Sequence, residues 1–236
     1  MLAETDTEIT NSIRPATIGI AVIGKAPRAD IAQLFATAAP PGGKLVLVGC
    51  LDGLSDEEIE RLVPQDGDDT LYTRLPSNRD AIISKAAVIA RAPVAFARLR
   101  AAGATSIVFA CTGHFPPIPG DGGVLFPSRV LAGLATALLP KGRLGILIPL
   151  AEQAPKLKQK WARPGLEIVA EALRPSAGES EIRSAAERLA ALRPGLVAMD
   201  CMSYGPDAKR IVAPIVGVPT LLGNAATCHV LRSIIE

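Results

Sequence analysis

Seven short apolar runs punctuate this chain, at residues 16–23, 44–49, 106–110, 143–148, 166–170, 196–200 and 219–222. Each has the length of a strand and is rich in small or branched aliphatic residues. Longer stretches at 80–102, 127–139, 178–192 and 224–235 carry helical periodicity. Gly103 stands just past the first of these, where a helix-ending left-handed residue belongs, and Pro93 inside it is expected to kink or split the helix. Strands alternating with helices predict parallel βαβ units whose sheets are covered on both faces.

A weak internal duplication refines that picture. The segment A-G-A-T-S-I-V-F-A-C at 102–111 is echoed by L-R-P-G-L-V-A-M-D-C at 192–201. Each unit is a helix end, a Gly-containing turn, an apolar strand and a cysteine just beyond it. Ligands of open α/β sheets sit past the carboxyl ends of the strands, so Cys111 and Cys201 hold equivalent places suited to chemistry. The same pattern also arises where cysteine merely closes a buried strand as a small apolar residue. The expected fold is α/β, with two similar lobes, each a mostly parallel sheet flanked by helices, and a cleft between them. Its expected division is a flexible polar extension at 1–15, a first lobe of 16–125 plus 214–236, and a second lobe of 126–213.

Composition removes several functions. Apolar residues make up 49% of the chain but aromatics only 3%, so the core must be built from Ala, Val, Ile and Leu. The formal net charge is only +2 and no Lys/Arg run dominates, which argues against nucleic acid as a partner. No apolar run approaches the roughly 20 residues of a membrane helix, so no membrane partner is expected. The first eleven residues are polar and acidic, without the cationic-then-apolar order of a signal peptide, and a cytoplasmic location is the expectation. Cys50, Cys111, Cys201 and Cys228 are scattered, none forms a C-x-x-C pair, and only His114 and His229 could complete a metal site. Neither a metal nor structural disulfides are expected.

The loops after the two cysteines carry the candidate binding groups. Thr112, Gly113 and His114 precede Phe115-Pro116-Pro117, a stretch too rich in Gly and Pro to continue a helix. An ordered loop there can turn amide N–H groups toward an anion. Ser203, Tyr204 and Gly205 hold the corresponding place after Cys201. Thr112 and Ser203 suit a substrate carboxylate, although either also serves as a helix cap, and His114 reads sooner as a loop hydrogen-bonder than as a catalyst. Arg28 and Arg74 stand near turn signals and offer the planar fork that grips carboxylates. Asp200, next to Cys201 on a strand, is expected to point away from the thiol, because successive strand residues face opposite sides. The stretch G-I-A-V-I-G-K at 19–25 is one residue short of a phosphate-binding loop, but it has Ala26 where Ser or Thr is needed.

Several segments together resemble the AroM family: T-I-G-I-A-V-I-G-K-A-P-R-A-D (17–30), D-G-D-D-T-L-Y-T-R-L (66–75), P-S-R-V-L (127–131), L-G-I-L-I-P-L (144–150), K-Q-K-W (158–161), M-D-C (199–201) and V-P-T-L-L-G-N (218–224). The resemblance implies a fold like that of the aspartate/glutamate racemase superfamily, which includes hydantoin racemases, maleate isomerases and arylmalonate decarboxylases. It implies enzymes that need no cofactor, a small carboxylate as substrate, and a homodimer as the assembly to test. Cys111-Thr112 and Cys201 fall at the places of the two racemase cysteines. The second site reads Cys-Met-Ser-Tyr where the racemases have Cys-Thr-His, which leaves amino-acid specificity open.

The function expected from this resemblance is racemisation or isomerisation by a two-cysteine acid/base pair. In that scheme Thr112, Gly113 and Ser203 hold the carboxylate, with Arg28 and Arg74 as outer candidates for a second acidic group. Loop amides are expected to lower the thiol pKa toward neutrality. A maleate-type isomerase would instead use one cysteine as a covalent nucleophile. The alternative outside catalysis is a carboxylate-binding or regulatory protein that keeps the cleft without turnover.

Overall fold

The computed structural model describes residues 16–66 and 69–235; the expected extension at 1–15 lies outside them. Two four-stranded parallel sheets organise the chain. The first is ordered β2 (Lys44–Gly49), β1 (Thr17–Val22), β5 (Ser106–Phe109), β6 (Val124–Leu125). The second is ordered β8 (Leu166–Ala172), β7 (Gly142–Ile148), β9 (Leu196–Met199), β10 (Thr220–Leu222). Position by position the two sheets have the same connectivity: β1 answers to β7, β2 to β8, β5 to β9 and β6 to β10.

The likeness extends to single residues. Gly19 on β1 is paired with Ile107 on β5, and Gly145 on β7 with Val197 on β9. A Cβ on Gly19 would lie 2.8 Å from the Ala104 Cβ and 3.2 Å from the Leu99 Cβ, and one on Gly145 would lie 3.0 Å from the Pro194 Cβ and 3.2 Å from Leu189 Cδ1. Leu99, Ala104 and Ile107 each stand 90 positions before Leu189, Pro194 and Val197. Glycine is needed at both sites because the helix that precedes β5 or β9 packs directly onto the neighbouring strand.

Helices α1 (Ala29–Ala36), α3 (Lys85–Ala101), α6 (Glu179–Ala191) and α7 (Pro206–Val216) cover the sheets, and the short α2 (Asp56–Glu60) follows β2. The helix expected at 80–102 begins only at Lys85. Its first five residues form β4 (Asp80–Ser84), antiparallel to β3 (Thr70–Arg74) in a hairpin the apolar pattern did not announce. Ser84 makes the change of structure, its side chain accepting from the Ala87 N–H at 3.2 Å as an N-cap. The helix then runs unbroken through Pro93 and ends before Gly103, which has φ +83°. Arg193 occupies the equivalent left-handed position after α6, with φ +51°.

The last helices are exchanged between the sheets. α4 (Pro127–Leu138) follows β6 of the first sheet, yet Leu131 and Ala135 pack with Leu144 and Ile146 of the second. α8 (Gly223–Ile235) follows β10 of the second sheet, yet Cys228 and Leu231 pack with Ile18 and Ile20 of the first. The return of the chain to the first lobe is therefore later than the expected residue 214, because β10 still pairs with β9. Among the described residues no helix is long and apolar enough to cross a membrane.

Candidate active site

The carboxyl ends of the four inner strands meet at one cavity. Val22 ends β1 and Ile23 follows it, Cys111 and Thr112 follow β5, Pro149 follows β7, and Asp200, Cys201 and Ser203 follow β9; all of them line it. The hairpin contributes Tyr72 and Thr73, and the loop before α1 contributes Arg28. Strand order reverses beside β1 and β7, which is where open parallel sheets leave a crevice for a ligand.

Each thiol is held in the same way. The Gly113 N–H donates to Cys111 Sγ at 3.3 Å, and the Ser203 N–H donates to Cys201 Sγ at 3.4 Å. In both loops the residue two beyond the cysteine turns its amide back on the sulfur. The expected fall in thiol pKa does not follow. Burial pushes Cys111 up to about 11, outweighing the Gly113 amide and the charge of Lys160 that oppose it. Burial, aided by the charges of Cys111 and Asp200, pushes Cys201 up to about 12. Burial therefore favours the protonated form of both thiols at neutral pH.

Arg28 is 6% exposed and reaches the site itself. Its Nη2 donates to Ser203 Oγ at 3.3 Å and its Nη1 to the Arg74 carbonyl at 3.2 Å, while the Asp30 carboxylate occupies its fork at 2.6 and 2.8 Å. Burial acts to raise the Asp30 pKa, but Arg28 prevails and holds it below the usual carboxylate range. The Arg74 side chain, by contrast, turns to Asp80 at 3.3 Å, away from the cavity. Tyr204 is also displaced from its expected binding role. It is buried in the second lobe, with its hydroxyl donating to the Leu173 carbonyl at 2.5 Å. His114 is exposed and lines an adjoining cavity rather than the thiol cavity.

Asp200 keeps to the face opposite Cys201, with Trp161, as the alternation along the strand requires. It lines both cavities; its Oδ1 accepts from Lys160 Nζ at 2.5 Å and its Oδ2 from Trp161 Nε1 at 3.2 Å. The Asp200 N–H still donates to the Leu147 carbonyl of β7 at 2.8 Å, so the ladder runs on to this residue. Lys160, on the short helix α5 (Leu157–Trp161), also donates to the Thr112 carbonyl at 2.7 Å and sits 4.6 Å from the centre of the Trp161 ring. One ammonium thus ties the Cys111 loop of the first sheet to the residue preceding Cys201 in the second.

Thr73 is the other residue the sequence reading passed over. It is 2% exposed, lines the thiol cavity, and its Oγ1 has no hydrogen-bond partner. A buried hydroxyl without a partner is costly, and it marks a place where a polar ligand atom would be satisfied. The sequence signal for both Thr73 and Lys160 was their place in the family-like segments, not their spacing. Among the described residues no group of three or more His, Cys, Asp or Glu could hold a metal ion.

Two matched parallel sheets that present one thiol each to a shared cavity define a two-lobed α/β fold. The chain belongs to the AroM family: the family model described as AroM protein matches residues 18–235. Solved structures agree on the fold. Unliganded arylmalonate decarboxylase is similar over 93% of this chain and 92% of its own, at 16% identity and a TM-score of 0.58. Glutamate racemase from Francisella tularensis in complex with D-glutamate is similar over 94% of this chain and 81% of its own, at 14% identity and a TM-score of 0.56. A Nocardia farcinica maleate cis-trans isomerase variant with a covalently bound succinylcysteine intermediate is similar over 93% and 92%, at 16% identity and a TM-score of 0.60. No curated protein sequence matches the chain.

Proposed function

We propose that this protein is a racemase or isomerase of a small carboxylate, with Cys111 and Cys201 as its acid/base pair and no cofactor. The observation that carries this reading is the equivalence of the two thiols. Each stands two residues past the inner strand of its sheet, each accepts the amide two residues on, and both line one cavity.

A C–H bond beside a carboxylate is weakly acidic, so its proton needs a placed base and its electrons a stabilised destination. One cysteine, as thiolate, takes the proton, and the C–H electron pair moves into the carboxylate to form an enediolate. The opposite thiol gives its proton to the other face, the electron pair returns to carbon, and the two sulfurs exchange roles. Asp200 opposes ionisation of both thiols, but at Cys111 the charges of Lys160 and Lys85 act against it, so Cys111 is taken as the first base. Thr112, Ser203 and Thr73 supply hydroxyl donors for the carboxylate, and Arg28 a guanidinium on the same wall; the Gly113 N–H is engaged by Cys111 Sγ. Positioned proton transfer contributes about 10²- to 10⁴-fold, and each preorganised donor at a developing oxyanion about 10²- to 10³-fold.

The test is α-proton exchange in D₂O, followed by NMR with amino acids, hydantoins and 2-substituted dicarboxylates. Wild type is expected to wash out the α-proton of at least one compound, and the Cys111→Ala/Cys201→Ala double variant of none. Maleate belongs in the panel, because one cysteine adding to its double bond is the covalent route seen as succinylcysteine in the Nocardia protein. A second reading, a carboxylate-binding protein without turnover, has one observation in its favour: burial favours the protonated form of both thiols. Ligand-raised melting temperatures with neither exchange nor isomerisation would decide for it.

A further inference from the structure

The two loops that hold the thiols are themselves held, each through a single peptide unit. At Cys201 the turn is closed by the Tyr204 N–H, which donates to the Cys201 carbonyl at 3.4 Å. The peptide inside that turn has its carbonyl on Met202 and its N–H on Ser203. The Ser203 N–H donates to Cys201 Sγ, and the Met202 carbonyl accepts from Asn224 Nδ2 at 3.2 Å. Asn224 gives its other amide hydrogen to the Tyr204 carbonyl at 2.7 Å, so one side chain grips the loop on both sides of Ser203. At Cys111 the corresponding peptide joins Thr112 to Gly113. Its N–H donates to Cys111 Sγ and its carbonyl accepts from Lys160 Nζ at 2.7 Å. The same relay ends in a neutral amide at one thiol and in an ammonium at the other.

Asn224 is the second residue of α8, and Gly223 before it lets the helix begin this close: a Cβ there would lie 3.1 Å from Thr112 Cγ2 and 3.2 Å from the Met199 carbonyl. Asn224 is 5% exposed, and its Oδ1 is buried without a partner. An apolar side chain would avoid that cost, so what Asn224 supplies is its pair of donors. The two carbonyls also fix which end of the amide faces the loop, because an amide oxygen cannot donate.

We propose that Asn224 is the positioning residue of Cys201, acting on the sulfur through the Met202–Ser203 peptide, with Lys160 as its charged counterpart at Cys111. Each fixes the plane of a peptide so that its N–H points at sulfur, and a donor aimed at sulfur favours the thiolate. Bonds in such a chain also strengthen one another. The other ionisable groups around Cys111 are Lys85, Asp200, Cys50 and Cys201. Around Cys201 they are Cys111, Asp200, Tyr72, Tyr204 and Arg28, while Cys228 of α8 packs with Met202. Asn224 is neutral, so replacing it leaves all of these charges in place. The role rests on the thiols being the working groups, as proposed above, but it is read on the thiols and needs no turnover.

The readout is the rate at which iodoacetamide alkylates each cysteine of the folded full chain, resolved by peptide mass, at pH values below the titration of either thiol. Asn224→Leu and Asn224→Ala remove both donors without changing charge. Losing a hydrogen bond to a thiolate moves its ionisation up by about one pH unit, and the greater nucleophilicity of the weaker acid offsets part of that. Cys201 alkylation is therefore expected to slow by about threefold, with Cys111 unchanged. A side chain that merely propped the loop would give the opposite sign, because loosening admits water and reagent and undoes the burial that raises the thiol pKa. Lys160→Met/Asp200→Asn should shift the Cys111-to-Cys201 ratio the other way, since Lys160 favours the Cys111 thiolate while Asp200 opposes both. Gly19→Ala strains the first lobe against Ala104 and Leu99, away from both loops, and should leave the ratio as in wild type. Faster or unchanged Cys201 alkylation in both Asn224 variants, or equal slowing of the two thiols, would overturn the proposal. The expected ratios without any α-proton exchange in wild type would uphold it while sinking the catalytic reading.

Discussion

At the scale of single residues, burial sets the character of this site more than hydrogen bonding does. Both thiols are amide-bonded and still sit at about 11 and 12, above the ordinary value of 9.0. The sign of the consequence is fixed. A thiol whose pKa is raised by folding favours the fold below the unfolded value, and that contribution disappears as pH climbs through the folded one. Wild type should therefore lose more stability than Cys111→Ala/Cys201→Ala between pH 8 and about pH 11, measured as urea midpoints; parallel losses would show that the thiols are not so perturbed. Thr73 offers a complementary test. Thr73→Val removes the unpartnered hydroxyl and should stabilise the empty protein by about 1 kcal/mol while weakening carboxylate binding. Equal binding by the variant would take Thr73 out of the site. The two cysteines were legible in the sequence because each closes an apolar strand after a turn. Thr73 and Lys160 were not, since their roles depend on which element lies opposite, and nothing local to a Thr on a hairpin or a Lys in a polar stretch encodes that.

Among the elements, the hairpin and α5 do most to join the two sheets at the site. Tyr72 on β3 packs with the second lobe, Asp80 on β4 accepts from the Ser176 hydroxyl at 2.7 Å, and Gln153 reaches back to Thr70. The apolar pattern hid this hairpin because Ala81-Ile82-Ile83 continues smoothly into the helical run after it, and only the Ser84 cap separates them. The Lys160–Asp200 pair, with both side chains 6% exposed, is the second link. Removing one partner of a buried pair leaves the other charge uncompensated, at about 3–5 kcal/mol. Lys160→Met alone should cost that much, and Lys160→Met/Asp200→Asn distinctly less, when followed by denaturant unfolding. Additive costs would mean that the two side chains act independently.

On the scale of the whole molecule, one architecture is used twice and then closed by exchanging helices. The repeat was visible in the sequence only around 102–111 and 192–201, because strand lengths and loops have diverged elsewhere while the packing constraint has not. Gly19 and Gly145 preserve it: Gly19→Ala would bring a Cβ to 2.8 Å from that of Ala104, and should destabilise the fold by about 1–3 kcal/mol. Ala104→Gly in the same chain should recover part of that loss, and no recovery would mean that the strain lies elsewhere. The exchange of α4 and α8 was not legible at all, since both helices carry an ordinary amphipathic face and their partner sheet is settled only by topology.

In the proposed reaction that twofold likeness gives the pair of thiols its meaning, one sulfur addressing each face of the same carbon. The most direct measurement takes the acid found by the exchange panel as separate enantiomers and follows each in D₂O with Cys111→Ala and with Cys201→Ala. Two-thiol proton transfer predicts that neither variant interconverts the enantiomers, and that each variant retains α-proton exchange with only one of them, the opposite one in the two cases. Exchange of the same enantiomer by both variants, or interconversion surviving in either, would contradict it.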